Sequence, residues 1–342
     1  MLTPFAFPSV RGNAITVERI ARGLRDRGVE LEVWDLSRMS EPVIEREVEA
    51  FRPGLVHGFH AYRVGPLALR LARRLEVPLA VTITGTDANH DLFDPARAAV
   101  VRHVLEGAAA VAVFHDSIGT RIVGALPDLA PRIVPIPQAT RLVDGVPFDM
   151  ATYWALPPST VLFVFPAGIR MVKEPQRPLA AFDRLTRRRP EVRLLYAGPV
   201  IDPDEGAALA HALARRPWAR HVGAVPHAQM ASLLARADVV LNCSISEGGM
   251  ANSVLEALAV GRAVLASDIE GNRSLIDDCI TGLLFRDDAE LEAQAERLAG
   301  DPGLRARLGA AGRALVESRF PPEREIDAYL KLYTRLAPVA LA

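Results

Sequence analysis

The chain has 342 residues, about twice the length of an ordinary domain, so its length predicts two domains. Its formal net charge of −1 excludes the strongly basic surface of a nucleic-acid-binding protein. The only cysteines, Cys243 and Cys279, are too few for a disulfide framework or a zinc site, and they favour a reducing, cytoplasmic compartment.

No apolar run approaches the ~20 residues that span a bilayer, and the first residues lack the apolar core of a signal peptide. Two short clusters of arginines occur, at 70–74 and 187–189. Clusters this short are typical of solvated helix faces, although they leave open a weak contact with a membrane surface. The composition therefore predicts a soluble protein without a transmembrane segment and without a nucleic-acid partner.

The first half of the chain alternates short apolar runs with amphipathic segments. The predicted strands lie at 2–7, 30–34, 54–57, 79–84, 110–114 and 133–136. The predicted helices between them lie at 16–27, 42–51, 66–75, 95–106 and 117–125. Apolar strands separated by helices indicate a parallel sheet that is covered on both faces.

Five prolines interrupt this alternation between residues 135 and 158 and predict a linker. The alternation then restarts, with predicted strands at 161–166, 193–197, 219–222, 239–241, 263–266 and 282–285. Predicted helices lie at 176–188, 205–214, 227–235, 250–259, 289–298, 303–317 and 323–336. The chain therefore reads as an N-terminal domain at 1–150, a C-terminal domain at 151–320, and a C-terminal helix at 321–342 that packs back on the N-terminal domain.

The most informative stretch, residues 242–258, has the sequence NCSISEGGMANSVLEAL and connects an apolar strand to a helix. Gly248 and Gly249 permit backbone torsions that turn amide groups toward a ligand. The helix start adds N–H groups without intrahelical acceptors and the positive end of the helix dipole, which favour phosphate. The carboxylate of Glu256 can accept two hydrogen bonds from a diol. Phosphate beside a diol is what a sugar nucleotide presents; the alternative is an ordinary strand–turn–helix with a solvated glutamate.

A second loop, GIRMVKEP at 168–175, follows the predicted strand at 161–166. Arg170 offers a planar fork and Lys173 a compact charge, and both suit a diphosphate. Fixed cations there would stabilise a departing nucleotide without solvent reorganisation. The alternative is a solvated loop whose cations pair with Glu174 or with nothing.

Three places in the first half are candidates for contact with a ligand. Gly12 and Asn13 lie in a glycine loop after the first strand, which lets the backbone approach a ligand. Asp87 follows the fourth strand, where it either orients an acceptor group or caps a turn. His115 ends the fifth strand, and a structural role is favoured for it over a catalytic one. Asp287 and Asp288 are expected to cap the helix that follows rather than to bind a metal.

These motifs carry a family resemblance. The patterns G-x-R-x-x-K-[DE]-P, S-E-G…L-E-A-L, G-x-x-V-L-A-x-x-I-x-G-N and T-G-L-L-F resemble the retaining glycosyltransferases of family 4. RGNAIT near the start and TGTDAN in the middle resemble the "glycosyltransferase 1 domain-containing protein" subgroup. The resemblance implies an α/β protein of the GT-B fold, with two Rossmann-like, doubly wound parallel-sheet domains facing across a cleft. It also implies metal-independent transfer from a nucleotide sugar, a UDP-sugar in particular, with retention of configuration.

Carried over by motif position, the resemblance assigns Arg170 and Lys173 to the diphosphate and Glu256 to the ribose. Glu247 joins Arg170, Lys173 and Asp87 as an expected catalytic group. The remaining expected donor contacts are Gly12, Gly168, Val225, Gly248, Gly249, Met250, Ala251 and Asn252. The expected acceptor contacts are Asn13, Asp87 and His115. No metal or cofactor is expected beyond the nucleotide sugar as co-substrate.

The chain departs from the family pattern in two places. Eight residues separate Glu247 from Glu256, whereas relatives usually have seven, so the turn must absorb one more residue. Thr84 stands where many relatives carry the histidine of His-Gly-x-Asp. The second departure predicts a different acceptor pocket.

The predicted function is transfer of a hexosyl unit from a nucleoside diphosphate sugar to a small or soluble acceptor. One alternative is a protein that binds nucleotide sugars or a partner protein without catalysis. A sugar-nucleotide epimerase on the same two-domain frame is the other alternative.

Overall fold

The computed structural model describes residues 1–9, 12–140, 145–247 and 249–338. These residues form two compact units. The first contains the described residues of Met1–Ala139, Gly248–Met250 and Pro321–Ala342. The second contains those of Thr140–Glu247 and Ala251–Phe320. The predicted domain limits differ from these units by about ten residues near position 150.

Each unit contains one six-stranded parallel sheet. The strands of the first unit are β1 (Leu2–Thr3), β2 (Trp34–Asp35), β3 (Val56–Phe59), β4 (Leu79–Thr82), β5 (Ala110–Val113) and β6 (Ile133–Pro135). Those of the second unit are β7 (Val161–Phe165), β8 (Val192–Tyr196), β9 (Ala219–His221), β10 (Val239–Asn242), β11 (Ala263–Ser267) and β12 (Leu283–Phe285). The two parallel sheets predicted from the alternating pattern are confirmed.

Helices connect the strands and cover the sheets. The helices are α1 (Gly12–Arg25), α2 (Glu41–Phe51), α3 (Gly65–Arg74), α4 (Ala98–Gly107), α5 (Asp116–Ala125), α6 (Met150–Tyr153), α7 (Pro178–Arg188), α8 (Pro203–Leu213), α9 (His227–Arg236), α10 (Asn252–Ala259), α11 (Glu270–Arg273), α12 (Asp288–Gly300), α13 (Pro302–Arg319) and α14 (Pro322–Leu336). No helix among the described residues is both long enough and apolar enough to cross a membrane.

The sheet of the first unit has the strand order β2-β1-β3-β4-β5-β6. Apolar side chains of α2, α3, α4 and α5 pack in one core, and those of α1 and α14 pack in another. Every residue of β3, β4 and β5 is buried, as expected for strands that are covered on both faces. β1 ends at Thr3, well short of the predicted residue 7, because Pro4 has no N–H to donate to a neighbouring strand.

The C-terminal helix α14 packs on α1 within the first unit. Gly23 permits the close approach, since a Cβ at that position would lie 2.5 Å from the side chain of Ile326. The guanidinium of Arg19 donates to both carboxylate oxygens of Glu325, at 2.7 and 2.9 Å. The Glu325 side chain is only 1% exposed, so this bidentate pair fixes the helix at one position along α1.

The sheet of the second unit has the order β12-β11-β10-β7-β8-β9. The strands β7 and β10 are therefore neighbours near its centre, with Val239 opposite Phe163 and Val240 opposite Val164. All residues of both strands are buried. The carboxyl ends of β7 and β10 consequently open on the same edge of the sheet, where open parallel sheets bind their ligands.

Candidate functional site

Two predicted site residues meet at the carboxyl ends of β7 and β10. Lys173 closes a short 3₁₀ turn, Met171–Lys173, that follows β7, and Glu247 follows β10. The ammonium of Lys173 donates to Oε1 of Glu247 in an ion pair. The side chains are 12% and 11% exposed. The alternative pairing of Lys173 with Glu174 is not what the structure shows, because Glu174 pairs instead with Arg177.

Two residues of β10 and its loop hold Glu247 in this position. The Ser244 hydroxyl donates to Oε1 at 2.6 Å, and the Asn242 amide donates to the same oxygen at 3.1 Å. Burial raises the pKa of Glu247, but the Lys173 ammonium and the two hydrogen bonds outweigh it and leave the pKa below its ordinary value. Burial also lowers the pKa of Lys173, although Glu247 opposes that shift. We call Lys173, Asn242, Ser244 and Glu247 the β7–β10 cluster.

Arg170 brings a second cation to this edge of the sheet. It has an extended backbone (φ −164°) immediately before the turn that carries Lys173. Its charge lowers the pKa of Lys173, which indicates that the two cations are electrostatically coupled. Gly168 lies two residues earlier, and a Cβ there would collide with the side chain of Ile201. A larger residue at 168 would therefore require the Ile201 side chain to move.

A layer of polar side chains beneath the β7–β10 cluster was not assigned by the sequence analysis. The Asn272 amide donates to the backbone oxygen of Ser267 at 2.9 Å and lies 3.4 Å from Oδ1 of Asn242. The Ser267 hydroxyl donates to the backbone oxygen of Ser244 at 2.5 Å. These bonds tie β11 and α11 to the loop that carries Glu247. The I-x-G-N motif that ends at Asn272 is the sequence pattern that could have revealed this layer.

The helix α10 begins at Asn252, two residues later than predicted. Ala251 is its N-cap residue, and among the described residues no side chain caps this end. Its first turn therefore presents backbone N–H groups without a capping side chain at the positive end of the helix dipole. Such an end favours a phosphate group.

Glu256 is buried on α10, where its Oε1 lies 3.0 Å from Nε2 of His227 at the start of α9. His227 was not a predicted site residue, because nothing in the local sequence relates it to Glu256, 29 positions later. Val225, which was predicted to lie near the base, is buried in the loop before α9. The imidazole therefore fixes the direction of the carboxylate that was predicted to hold a ribose.

The glycine turn between Glu247 and α10 is described in part. Gly248 lies outside the described residues. Gly249 belongs to the first unit, where a Cβ on it would collide with the ring of Phe114. The Met250 sulfur accepts a hydrogen bond from the backbone N–H of Gln138 at 3.2 Å.

In the first unit, the carboxylate of Asp87 accepts hydrogen bonds from three backbone amides. These are the N–H groups of Ala61 at 2.9 Å, Gly85 at 2.6 Å and Thr84 at 3.2 Å. Asp87 is 0% exposed and opens a short π-helical turn, Asp87–Asp91. The structure therefore shows the turn-capping arrangement that the sequence had left as the alternative for this residue.

The other predicted acceptor residues lie at the carboxyl ends of other strands in the same unit. Gly12 begins α1, and Asn13 donates from its amide to the Thr3 hydroxyl at 3.1 Å. His115 precedes α5, with its Nδ1 2.5 Å from the Ser117 hydroxyl. These contacts of Asn13 and His115 are thus with residues of the first unit that lie close to them in sequence.

His60 was missed by the sequence analysis. It follows β3, and its Nε2 lies 2.9 Å from the hydroxyl oxygen of Thr86 in the turn after β4. Its φ is +95°, a conformation that residues other than glycine seldom adopt. A histidine at a strand end is the pattern that could have revealed it, although its strained backbone has no trace in the sequence.

Three arginines of the two clusters form ion pairs with acids of neighbouring helices. Arg70 and Arg74 pair with Glu41, Glu45 and Glu49 of α2. Arg188 pairs with Glu292 and Glu296 of α12. These contacts lower the positive charge of both surfaces, as expected for solvated helix faces.

Asp287 caps α12 as predicted, accepting from the Glu290 N–H at 2.9 Å. Within the described ranges, no group of three or more His, Cys, Asp or Glu side chains is arranged to hold a metal ion.

Comparison with known proteins identifies the family. Residues 160–301 match the family described as glycosyl transferases group 1. Over 306 residues, 31% are identical to a D-inositol 3-phosphate glycosyltransferase of Segniliparus rotundus, an alignment that covers 83% of this chain and 67% of that protein. The chain belongs to the group 1 glycosyl transferases. It is therefore an enzyme, a retaining glycosyltransferase of family 4, as the motifs had predicted.

A second relative of this glycosyltransferase covers almost its whole length. A glycosyltransferase 1 domain-containing protein 1 of Xenopus tropicalis is 27% identical over 335 residues, which are 95% of this chain and 94% of that protein. Among solved structures, Anabaena HepE, in complex with UDP and glucose, matches with a TM-score of 0.80 at 15% identity and covers 98% of this chain and 99% of HepE. At that identity the match concerns the fold alone, and it confirms the predicted GT-B class.

Proposed function

We propose that this glycosyltransferase moves a hexosyl unit from a UDP-sugar to a small or soluble acceptor. In this proposal the second unit holds the donor and the first unit holds the acceptor. The observation that carries it is the buried pair of Lys173 and Glu247, with Arg170 coupled to it, at the joint carboxyl edge of β7 and β10. A buried lysine costs free energy, so its presence at a ligand-binding edge favours a functional role.

The cations suit a diphosphate in the following way. During transfer the bond between C1 of the sugar and the diphosphate oxygen breaks, and a bond forms between C1 and the acceptor oxygen. The acceptor proton leaves to the released diphosphate or to solvent. Negative charge therefore grows on the diphosphate, and Arg170 and Lys173 would stabilise it as fixed positive charges. The N-terminal turn of α10 would add backbone N–H groups to the same anion.

The ribose would lie against Glu256. Because His227 already holds one carboxylate oxygen at 3.0 Å, the carboxylate would meet the two ribose hydroxyls in a fixed orientation. Val225 would lie near the base, and Gly168, Ala251 and Asn252 would line the sugar and phosphates.

Two relatives support the choice of substrates. Anabaena HepE has been solved in complex with UDP-glucose, which favours uridine as the base. The Segniliparus relative is a D-inositol 3-phosphate glycosyltransferase, which favours a small polar acceptor. Asn13, Asp87 and His115 remain the proposed acceptor residues, with Asp87 acting through the turn that it caps. The buried Cys243 and the exposed Cys279 are both free thiols, which fits the predicted cytoplasmic location.

The first test is a thermal-shift screen with UDP, GDP and ADP, since a ligand stabilises the state that it binds. UDP should raise the melting temperature most, and Glu256→Gln should reduce that shift while the exposed control His103→Asn leaves it unchanged. A larger shift with GDP or ADP would contradict the choice of base.

The second test measures the release of UDP from UDP-glucose with D-inositol 3-phosphate, glucose or maltose as acceptor. An acceptor that stimulates release and appears in a glycosylated product supports the proposal. Incubation of UDP-glucose without acceptor is the control, and an altered sugar in that sample would favour the epimerase alternative.

A further inference from the structure

The turn after β4 in the first unit is held by a histidine from the neighbouring strand. In the parallel register Phe59 of β3 lies opposite Thr82 of β4, and the His60 N–H donates to the Thr82 oxygen at 3.0 Å. His60 therefore lies beside the first residues after β4. Its Nε2 then reaches the hydroxyl of Thr86 at 2.9 Å.

The backbone of the same loop determines which ring nitrogen of His60 carries the hydrogen. Nδ1 lies 3.3 Å from the backbone N–H groups of both Tyr62 and Arg63. A nitrogen that accepts hydrogen bonds must keep its lone pair, so the hydrogen of the neutral ring resides on Nε2. Nε2 therefore donates to the Thr86 oxygen, and the hydrogen bonds of both ring nitrogens keep the ring in this orientation.

The charged groups around the ring do not disturb this arrangement. The Asp87 carboxylate lies 3.8 Å from Nδ1 and that of Asp91 lies 3.9 Å from Nε2. Asp87 already accepts three backbone amides, and Asp91 accepts from Arg97 at 2.8 Å. Burial lowers the pKa of His60; Asp87 and Asp91 oppose this shift, and Arg63 and Arg97 add to it. The ring is therefore neutral at neutral pH.

The consequence concerns the hydroxyl of Thr86. Its oxygen accepts from His60, so its own hydrogen points in another direction. Among the described residues, His60 is the one hydrogen-bond partner of this hydroxyl, and Thr86 is exposed. The residue lies at the carboxyl edge of a parallel sheet, where such sheets bind ligands. A donor of fixed direction therefore faces solvent at that edge.

We propose that His60 is a positioning residue that sets the Thr86 hydroxyl as a hydrogen-bond donor to a hydroxyl or phosphate oxygen of the acceptor substrate. The inference rests on the proposed function, in which the first unit holds the acceptor. It makes Thr86 a specificity-determining contact for oxygen-bearing acceptors.

The test compares Thr86→Val and His60→Asn with matched controls. Valine keeps the shape of threonine without the hydroxyl, and asparagine tolerates a positive φ. The controls are Thr120→Val and His90→Asn, two exposed residues of the same unit. The assay is UDP release from UDP-glucose with the fastest acceptor among D-inositol 3-phosphate, glucose and maltose.

Each test variant should raise the KM for the acceptor about tenfold, as expected for one lost hydrogen bond. The KM for UDP-glucose and the acceptor-free hydrolysis of UDP-glucose should stay unchanged. The double variant should lose less than the product of the two single losses, because both act on one hydroxyl. An unchanged acceptor KM in Thr86→Val would overturn the inference, as would a loss that affects both substrates equally.

A second measurement is independent of any acceptor. In ¹⁵N-histidine-labelled protein, the NMR shifts of His60 should report a neutral ring with hydrogen on Nε2 at pH 7 to 8. Thr86→Val should shift the Nε2 signal and leave Nδ1 in place. Hydrogen on Nδ1 would overturn the inference. If no acceptor stimulates UDP release by the wild-type enzyme, the proposed function is contradicted independently of His60. The NMR measurement then still decides whether His60 directs the Thr86 hydroxyl.

Discussion

The two units place different chemistry at the carboxyl ends of their sheets. In the second unit the β7–β10 cluster brings an ammonium and a carboxylate side chain together, with Arg170 beside them. In the first unit the buried Asp87 carboxylate accepts from three backbone amides, while His60 directs a threonine hydroxyl. One edge therefore offers net positive charge and the other offers directed, uncharged hydrogen bonds.

This difference matches the two substrates of a glycosyl transfer. A nucleoside diphosphate carries charge that increases during the reaction, and fixed cations stabilise it best. An acceptor hydroxyl is uncharged, so its selection depends on the direction of hydrogen bonds rather than on electrostatic attraction to fixed charges. In the proposed assignment, the division between the units follows from what each would recognise, although both units have the same sheet architecture.

The largest expected effect comes from removing one charge of the β7–β10 cluster. Lys173→Met should lower the free energy of unfolding by ~3–5 kcal/mol, because Glu247 is then buried without its cation. Adding Glu247→Gln should restore much of this loss, since no charge is then left buried. Urea titration of both variants measures the free energy of unfolding. Arg184→Met is the control: its ion pair with Glu292 has a half-exposed arginine and should be worth at most ~1 kcal/mol. A single variant as stable as the double would refute the buried-pair interpretation.

The second prediction concerns Arg170 and catalysis. Arg170→Ala should reduce kcat by ~10²-fold or more, because the arginine would act on charge that develops in the transition state. The same change should leave the acceptor KM unaltered, which separates the donor edge from the acceptor edge. The control Arg188→Ala removes an exposed arginine of α7 and should retain wild-type turnover. Equal turnover in the two variants would exclude Arg170 from the reaction.

The third prediction tests Asp87 as a structural cap. Asp87→Asn should cost ~2–3 kcal/mol of stability, since an amide replaces a carboxylate that accepts from three backbone N–H groups. Asp94→Asn alters an exposed cap on the Ala96 N–H and serves as the control, with a much smaller effect. The melting temperatures of the two variants provide the comparison. If Asp87→Asn were as stable as wild type but inactive, Asp87 would be a direct acceptor contact instead.

The smallest expected effect is the dependence of the free energy of unfolding on pH. Burial lowers the pKa of His57 to about 3 from its ordinary value of 6.5. The unfolded chain therefore binds a proton that the folded chain does not bind, so stability falls as the pH falls from 6.5 toward 3. The folding equilibrium should change by up to ~tenfold per pH unit in that window.

Glu247 behaves differently, because its pKa is lowered from an ordinary value of 4.5. Its contribution is present above pH 4.5 and is lost only as the pH falls below that value. His57→Gln should flatten the profile between pH 6.5 and 4.5, whereas Glu247→Gln should alter it only at lower pH. Urea midpoints measured at several pH values would show this, and an unchanged slope in His57→Gln would contradict it.

The sequence by itself determined the fold class and which candidate donor residues follow neighbouring strand ends. Apolar runs of three to six residues between amphipathic helices predicted two parallel sheets, because both patterns depend only on neighbouring residues. The strand ends also placed Arg170, Lys173 and Glu247 at one edge. In a parallel sheet all carboxyl ends open on the same side, so the order of residues along the chain was sufficient.

The tertiary structure alone decided which side chains pair. Lys173 meets Glu247 across 74 positions, and Arg19 meets Glu325 across 306, and neither pairing follows from a local pattern. The strained His60 reaches Thr86 only because β3 and β4 are neighbours in register. The periodicity of apolar residues along a segment tells which of its faces is buried. The partner of a particular side chain depends on how distant segments pack against each other.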